Sequence, residues 1–188
     1  MIVESAQMMA SALLANGAEP TSLPLTKAGT HYRGGYHNHP CTKWAGLSQA
    51  NYAWLANHAI EQLREYRRRF KPNEPILTVH ACAEPIFTMA TRAWVIKDNE
   101  PINGDMYANH TPPAQAMPDE FKIDYAPVVA YRTYYISKVA SKGGVRYARR
   151  GTYPHWWSPV ATYCGQVGLI DDETVAKALD QRTELNLT

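Results

Sequence analysis

The stretch that decides the fold is residues 42–70, TKWAGLSQANYAWLANHAIEQLREYRRRF. Its apolar residues recur at helical spacing, which predicts one long amphipathic helix with a continuous buried face. That face is predicted to carry Trp44, Leu47, Leu55, Ala59, Leu63, Tyr66 and Phe70. Three polar side chains, Asn51, His58 and Gln62, are expected to lie alongside it rather than on the outer face.

Three further helices are predicted, one before this stretch and two after it. The first runs from the start to about Ala15, where Asn16-Gly17 is a helix-stop signal. A later one begins at Pro127, which suits a first helical position, and ends near Ser141. Its buried row is expected to hold Val128, Arg132, Tyr135 and Val139. The last helix covers about 171–182 and begins with three acids, whereas no assignment is made for 76–96.

The composition predicts a folded helical protein. Hydrophobic residues make up 45% and charged residues 19%, which excludes a disordered chain. Eight of the 13 prolines lie between Pro72 and Pro127, which predicts irregular connections. We therefore expect a mainly α protein, a compact single-domain helical bundle over 1–188 with long Pro-rich connections. Residues 72–111 are a candidate insertion and 165–188 a C-terminal helical appendage.

The cysteines and the first residues bear on the cellular compartment. Cys41, Cys82 and Cys164 are odd in number and widely spaced, which favours a reducing environment. The opening residues carry no Lys or Arg and include Glu4, so a secretory signal is not expected. No apolar run reaches the ~18 residues of a membrane span. These features predict a cytoplasmic protein with no membrane partner.

Two segments combine positive charge with tyrosine. Residues 61–71 hold five bases against two acids, and residues 122–150 hold seven bases against one acid. The second segment contains the strip Tyr131, Arg132, Tyr134, Tyr135 and Lys138. Cations neutralise phosphates and aromatic faces accept unstacked bases, so this strip favours nucleic-acid binding. The alternative is a helix whose tyrosines are half-buried and whose charges are merely solvated.

The segment 31–44, HYRGGYHNHPCTKW, is the densest in polar chemistry. Its potential zinc ligands are His31, His37, His39 and Cys41, but their spacing matches no standard zinc pattern. The favoured interpretation is a Gly-hinged loop whose His and Asn side chains cap the next helix or contact a ligand. The chain has no P-loop, no Gly-rich dinucleotide fingerprint and no nucleophile elbow. No cofactor and no metal are therefore expected.

Several stretches, in this order, carry a family resemblance. They are MIVESAQMMASAL at 1–13, YHNHPCTKWAGLSQANYAWL at 36–55, MPDEFK at 117–122, AYRTYYISK at 130–138 and YPHWW at 153–157. Together they resemble the pyrimidine-dimer DNA glycosylase/AP lyase family, particularly its bacteriophage members. For a phage-encoded protein the compartment would be the host cytoplasm.

The resemblance implies a mostly helical fold, double-stranded DNA as partner and damaged or modified pyrimidines as substrate. In the family, an N-terminal α-amine attacks C1′ of the damaged nucleotide and forms a Schiff base, after which elimination breaks the strand. An α-amine suits this role because its reference pKa is only ~7.7–8.0. A glutamate of the first helix stabilises the cationic intermediate, and its position in the motif corresponds to Glu4 here.

The resemblance also implies which other residues contact DNA. Asn38, His39 and Trp44 would line the pocket, and Lys43, Arg132 and Lys138 would contact phosphates. Tyr131 and Tyr135 complete the expected DNA-contacting set.

The chain departs from the family at its start. Only three residues precede Glu4, and in the family's geometry a Met1 amine is not expected to reach over the Glu4 side chain. Either the family's true N-terminal start is missing, which we expect, or the protein no longer performs lyase chemistry. No arginine flanks Glu4, which places the family's dimer-specific phosphate contacts in question. Two alternatives stay open. One is a non-catalytic DNA-binding protein on the same scaffold, and the other is a metal-dependent phage nuclease using His31, His37 and His39.

Overall fold

The computed structural model describes residues 1–97, 110–140 and 154–185, and within these ranges the chain is helical with no β-strand. This confirms the prediction of a mainly α protein. The helices are α1 (Ile2–Ala15), α2 (Pro40–Ala45), α3 (Gln49–Phe70), α4 (Ala83–Ala90), α5 (Pro127–Ser137), α6 (Trp157–Gln166) and α7 (Asp172–Leu185). None of these described helices is long and apolar enough to cross a membrane.

The chain divides into two compact units, residues 1–114 and 115–188. The first unit contains α1 to α4, and the second contains α5 to α7. The candidate insertion at 72–111, of which residues 98–109 lie outside the described ranges, and the appendage at 165–188 stay predictions. So does the single domain over 1–188.

The first unit is built around α3, against which α1 and α4 pack. Large side chains from each of these helices are fully buried where they meet, namely Met9, Leu13, Tyr52, Leu63, Ile86 and Met89. The phenol of Tyr52 satisfies its hydroxyl within this core by donating to the Met89 carbonyl at 3.0 Å. Burial of the ring raises the pKa of Tyr52 above its usual range.

The predicted end of the first helix is confirmed. α1 ends at Ala15, and Asn16 follows as its C-terminal cap. Gly17 then adopts φ +90°, a left-handed conformation that costs glycine little.

The single long helix predicted for 42–70 is wrong, because the chain breaks between Gly46 and Ser48 into α2 and α3. Ser48 caps the new helix, its Oγ accepting from the Asn51 backbone N–H at 3.1 Å. The break also removes Leu47 from the predicted buried face, and 67% of its surface is exposed. Apolar spacing continues across the break, which is why periodicity alone did not reveal it.

The second unit packs α5, α6 and α7 around a small core of Ile136, Val139, Trp157, Ala161 and Ala178. α6 was not predicted from the sequence. α7 begins close to the predicted position, where the Asp171 carboxylate accepts from the Thr174 backbone N–H at 2.6 Å.

The buried row predicted for α5 is largely wrong. Pro127, Ala130, Thr133 and Ile136 are buried, whereas Val128 and Tyr135 are exposed. Apolar residues occur on several sides of this helix, so their spacing did not single out one face. Only Val139 is buried as expected.

Candidate functional site

A polar stripe on α1 receives the glycine-containing loop that precedes α2. Glu4, Gln7 and Ser11 follow one another at helical spacing and so share a face. The Ser11 hydroxyl accepts from the Gly35 N–H and donates to the Gly35 carbonyl, both at 2.7 Å. These two bonds hold the loop against α1 at Ser11, and only Gln7 lies between Ser11 and Glu4 on the stripe.

Two glycines make this close approach feasible. Gly34 has φ +76°, and a Cβ atom there would lie 2.3 Å from Ser11 Oγ. At Gly35, a Cβ atom would lie 3.1 Å from the side-chain oxygen of Gln7. The two glycines of the expected hinge therefore form the contact between the loop and α1. A side chain at Gly34 would push the loop away from the helix.

The loop places Tyr36 beside Glu4. Tyr36 has φ +57°, a conformation that is uncommon for a residue with a side chain and costs energy. Its hydroxyl donates a long hydrogen bond of 3.5 Å to Oε1 of Glu4. Tyr36 was not among the predicted site residues, although it opens the YHNHP motif directly after two glycines.

His39 joins the loop to α2. It is the N-terminal cap of that helix, and its Nδ1 accepts from the Cys41 backbone N–H at 3.2 Å. The rings of His39 and Tyr36 pack edge to face, 6.3 Å apart at 86°. The predicted helix-capping role is thus confirmed for His39, whose ring also packs against the tyrosine that contacts Glu4.

The Glu4 carboxylate also lies beside an amine. Its Oε2 is 3.3 Å from the α-amino nitrogen of Met1, and 43% of the Glu4 side chain is exposed. The two groups lie on the same side of the first helical turn. We call Glu4, Tyr36, His39 and the Met1 amine the Glu4 site. An amine, a carboxylate and a phenol at one accessible point can carry out addition to a carbonyl-like carbon and proton transfer.

The other pocket and phosphate candidates of the first unit occupy different environments. Asn38 and Lys43 are exposed, next to the Glu4 site along the chain. Trp44 is buried, and its indole N–H donates to Thr111 Oγ1 at 2.9 Å. Asn51 completes this arrangement by accepting from the Thr111 backbone N–H and donating to the Trp44 carbonyl. Trp44 therefore holds the loop–helix framework together, whatever else it contacts.

The DNA-contacting candidates of α5 lie in the second unit. The Arg132 guanidinium stands 5.2 Å from the centre of the Trp156 ring, and the Lys138 ammonium stands 4.3 Å from that of Tyr134. Both distances are typical of cation–π contacts.

The two tyrosines predicted to contact DNA differ in their surroundings. The Tyr131 hydroxyl accepts from the Ala116 N–H at 3.2 Å, whereas Tyr135 has an exposed ring packed against Trp157. Arg132 and Lys138 together with their aromatic partners form what we call the basic strip.

Three of the four potential metal ligands have other partners. His31 Nδ1 lies 2.6 Å from the Leu23 carbonyl, His39 caps α2, and the Cys41 thiol contacts the Ala114 carbonyl. Across the described residues, no three His, Cys, Asp or Glu side chains come together as a metal-binding group. The geometry offers no support for the metal-dependent nuclease.

Comparison of the chain with protein-family models, with curated proteins and with solved structures finds no match. The candidate function therefore rests on the motifs and on the geometry of the Glu4 site.

Proposed function

We propose that the protein is a DNA glycosylase/AP lyase that acts on damaged or modified pyrimidines through a Schiff-base intermediate. The observation that carries the proposal is the partly exposed Glu4 carboxylate on the first turn of α1, which accepts a hydrogen bond from the Tyr36 hydroxyl. This chemistry needs two groups. One is an amine nucleophile, and the other is a carboxylate that accepts protons and stabilises positive charge.

In the proposed reaction, the neutral amine forms a bond to C1′ while the bond from C1′ to the base breaks. The base leaves with the electron pair and takes up a proton. The sugar ring then opens as the bond from C1′ to O4′ breaks, O4′ gains a proton, and a protonated imine forms between the amine and C1′. Loss of a proton from C2′ and departure of the 3′ phosphate complete strand cleavage.

Glu4 serves this sequence in two ways. Its negative charge stabilises the cationic sugar and the protonated imine, and its oxygens accept protons from the amine and from C2′. The side chain is partly exposed, so DNA can approach it without rearrangement of the helix. Tyr36 donates a long hydrogen bond to one carboxylate oxygen and leaves the other open to the reacting groups.

The basic strip supplies the expected phosphate contacts. Arg132 and Lys138 lie against aromatic rings, which limits the conformations of their long side chains. Cations restricted in this way lose less entropy when they bind a phosphate. Each phosphate that a cation neutralises adds to the salt dependence of DNA binding, so this dependence should weaken in Arg132→Ala. It should stay unchanged in Lys177→Ala, because the Lys177 ammonium is paired with Glu173.

Borohydride trapping tests the activity. The protein is incubated with three duplexes, one with an abasic site, one irradiated with ultraviolet light and one undamaged, and the imine is reduced. We expect a covalent adduct with the abasic duplex and none with the undamaged one, and peptide mass spectrometry should place the attachment at the amine beside Glu4. Absence of an adduct with both damaged duplexes would overturn the proposal.

A non-catalytic DNA-binding protein is the second candidate, and the basic strip favours it. Arg132 and Lys138 belong to a compact unit that does not contain Glu4. This candidate predicts salt-sensitive duplex binding that falls in Arg132→Ala, survives Glu4→Gln and yields no borohydride-trapped adduct.

A further inference from the structure

An aromatic pair lies exposed on α3, outside the Glu4 site. Trp54 and His58 are one helical turn apart, and their rings stack with centroids 5.4 Å apart and planes only 10° from parallel. Trp54 is 39% exposed, and His58 is also exposed. Aromatic rings that are ordered and reach the surface offer binding area to a planar ligand.

The pair is fixed from two sides. The buried Trp44 ring meets Trp54 at 5.5 Å and 85°, an edge-to-face contact. On the other side, the Gln62 amide donates to His58 Nε2 at 2.9 Å, and the Ser5 hydroxyl donates to Gln62 Oε1 at 3.0 Å. Side chains held in this way lose little conformational freedom when a ligand stacks on them.

The same hydrogen bonds connect the pair to the Glu4 site. Ser5 directly follows Glu4 in α1, and its side chain reaches His58 through Gln62 alone. The aromatic pair and the carboxylate therefore lie on adjoining parts of the packed α1 and α3 helices within one compact unit.

The imidazole of His58 is suited to stacking at neutral pH. Its Nε2 accepts a hydrogen bond, which requires the neutral ring. Although the residue is exposed, neighbouring protein atoms exclude water from part of the ring. This desolvation lowers the pKa of His58 below its usual value. The pair thus offers two uncharged aromatic rings.

We propose that Trp54 and His58 form a stacking platform for a nucleobase that has left the DNA helix next to the reacting sugar. The inference rests on the proposed function, because it takes DNA as the ligand. Access to C1′ requires a displaced nucleotide, and a displaced base loses its stacking partners. The outer face of an aromatic stack can receive one base, and aromatic stacking accepts any base because each has a π-face.

Binding to a non-reactive duplex tests the platform apart from the chemistry. The duplex carries a tetrahydrofuran abasic analogue opposite a 2-aminopurine, whose fluorescence falls when the base stacks. A fully paired duplex of the same sequence serves as the second substrate. Three variants are compared with the wild type: Trp54→Leu, Trp54→Phe and Trp94→Leu. Trp94 is the matched control, since it is 73% exposed and belongs to the same unit.

We expect Trp54→Leu to weaken binding of the abasic duplex about 5- to 100-fold, the range expected for loss of one stacked base. Binding of the paired duplex should stay within about twofold of the wild type. Trp54→Phe should retain most of the affinity and the fluorescence change, and Trp94→Leu should behave as the wild type. Circular dichroism spectra confirm that each variant is folded.

An unchanged affinity in a folded Trp54→Leu, or an equal loss on both duplexes, would overturn the platform. Borohydride trapping on an abasic duplex separates this outcome from failure of the proposed function. If no adduct is trapped but binding depends on Trp54, the lyase proposal fails and the platform stands. If the adduct forms but Trp54→Leu binds normally, the platform fails alone.

Discussion

The phenolic oxygen of Tyr36 lies 3.5 Å from Oε1 of Glu4, although the two residues are 32 positions apart in the chain. This contact joins the first turn of α1 to the loop before α2, so the sequence of that loop controls the surroundings of the carboxylate. The loop is itself fixed by Ser11 and by the capping of α2 by His39.

Removal of the Tyr36 hydroxyl should slow the reaction without abolishing it. In Tyr36→Phe, the carboxylate loses one neutral hydrogen-bond donor, worth about 0.5–1.5 kcal/mol, so we expect the single-turnover rate to fall about 2- to 10-fold. Tyr125→Phe is the matched control, since Tyr125 also has a positive φ and is 95% exposed. An unchanged rate in Tyr36→Phe would show that the tyrosine does not position Glu4.

Two glycines with nearly equal backbone angles separate strain from contact. Gly34 and Gly29 have φ +76° and +74°, but only a Cβ atom at Gly34 would meet another residue, Ser11. We expect Gly29→Ala to lower the free energy of unfolding by about 1–2 kcal/mol, the cost of a left-handed alanine. Gly34→Ala should cost about 1–3 kcal/mol more, because the loop must move from α1. Urea unfolding followed by circular dichroism measures both, and equal losses would contradict the docking of the loop.

Asn51 should be important for stability because it is fully buried and bonded at both ends of its amide. It accepts from the Thr111 backbone N–H and donates to the Trp44 carbonyl. In Asn51→Ala these partners lose their hydrogen bonds, which should reduce the free energy of unfolding by about 1–3 kcal/mol. The exposed Asn57→Ala on the same helix is the control and should change stability little. Equal effects of the two substitutions would contradict the assigned role.

The ionisation of His58 should depend on Trp54. Desolvation lowers the pKa of His58, so the imidazole should titrate below the usual ~6.5 in a proton NMR titration. Trp54→Ala admits water to the ring and should raise the pKa of His58 towards that value, while Trp94→Ala should not change it.

The same shift predicts a contribution of His58 to the pH dependence of stability. Because the pKa of His58 is lower in the folded than in the unfolded chain, its contribution is fully present above about pH 6.5. It is lost as the pH falls through the folded value, since the unfolded chain binds the proton more readily. Thermal unfolding at pH 7 and pH 5 should show a smaller loss of stability in His58→Phe than in the wild type. An equal loss would contradict the assignment.

The sequence was sufficient where a local rule decided the structure. Asn16-Gly17 ended α1, and a histidine of the 31–44 loop, His39, capped the next helix. It was insufficient where two local rules competed. Apolar spacing favoured one helix through Leu47, whereas the Ser48 cap, bonded to Asn51, favoured two. The chain follows the Ser48 cap because the buried Asn51 also bonds to Trp44 and Thr111. A helical pattern cannot reveal the contact with Thr111, which is distant in the chain.

The candidate site shows the same division. Glu4 could be located by its motif, and its place on one face with Ser11 followed from helical spacing. The contact from Tyr36 could not be located in this way, because it depends on the left-handed backbone of Tyr36 and on the close approach of Gly34. The Trp54–His58 stack was also missed, since Trp54 had no place in the predicted buried face and His58 was placed beside that face.

The most direct test of the account is the single-turnover rate of borohydride-trapped adduct formation on an abasic duplex in Glu4→Gln. Loss of the carboxylate removes the group that stabilises the cationic intermediate and accepts protons, so we expect the rate to fall at least about 100-fold while DNA affinity stays near that of the wild type. The control Glu19→Gln, on an exposed residue of the same unit, should react at the wild-type rate. A Glu4→Gln rate equal to that of the wild type would contradict the central claim that Glu4 is the catalytic carboxylate.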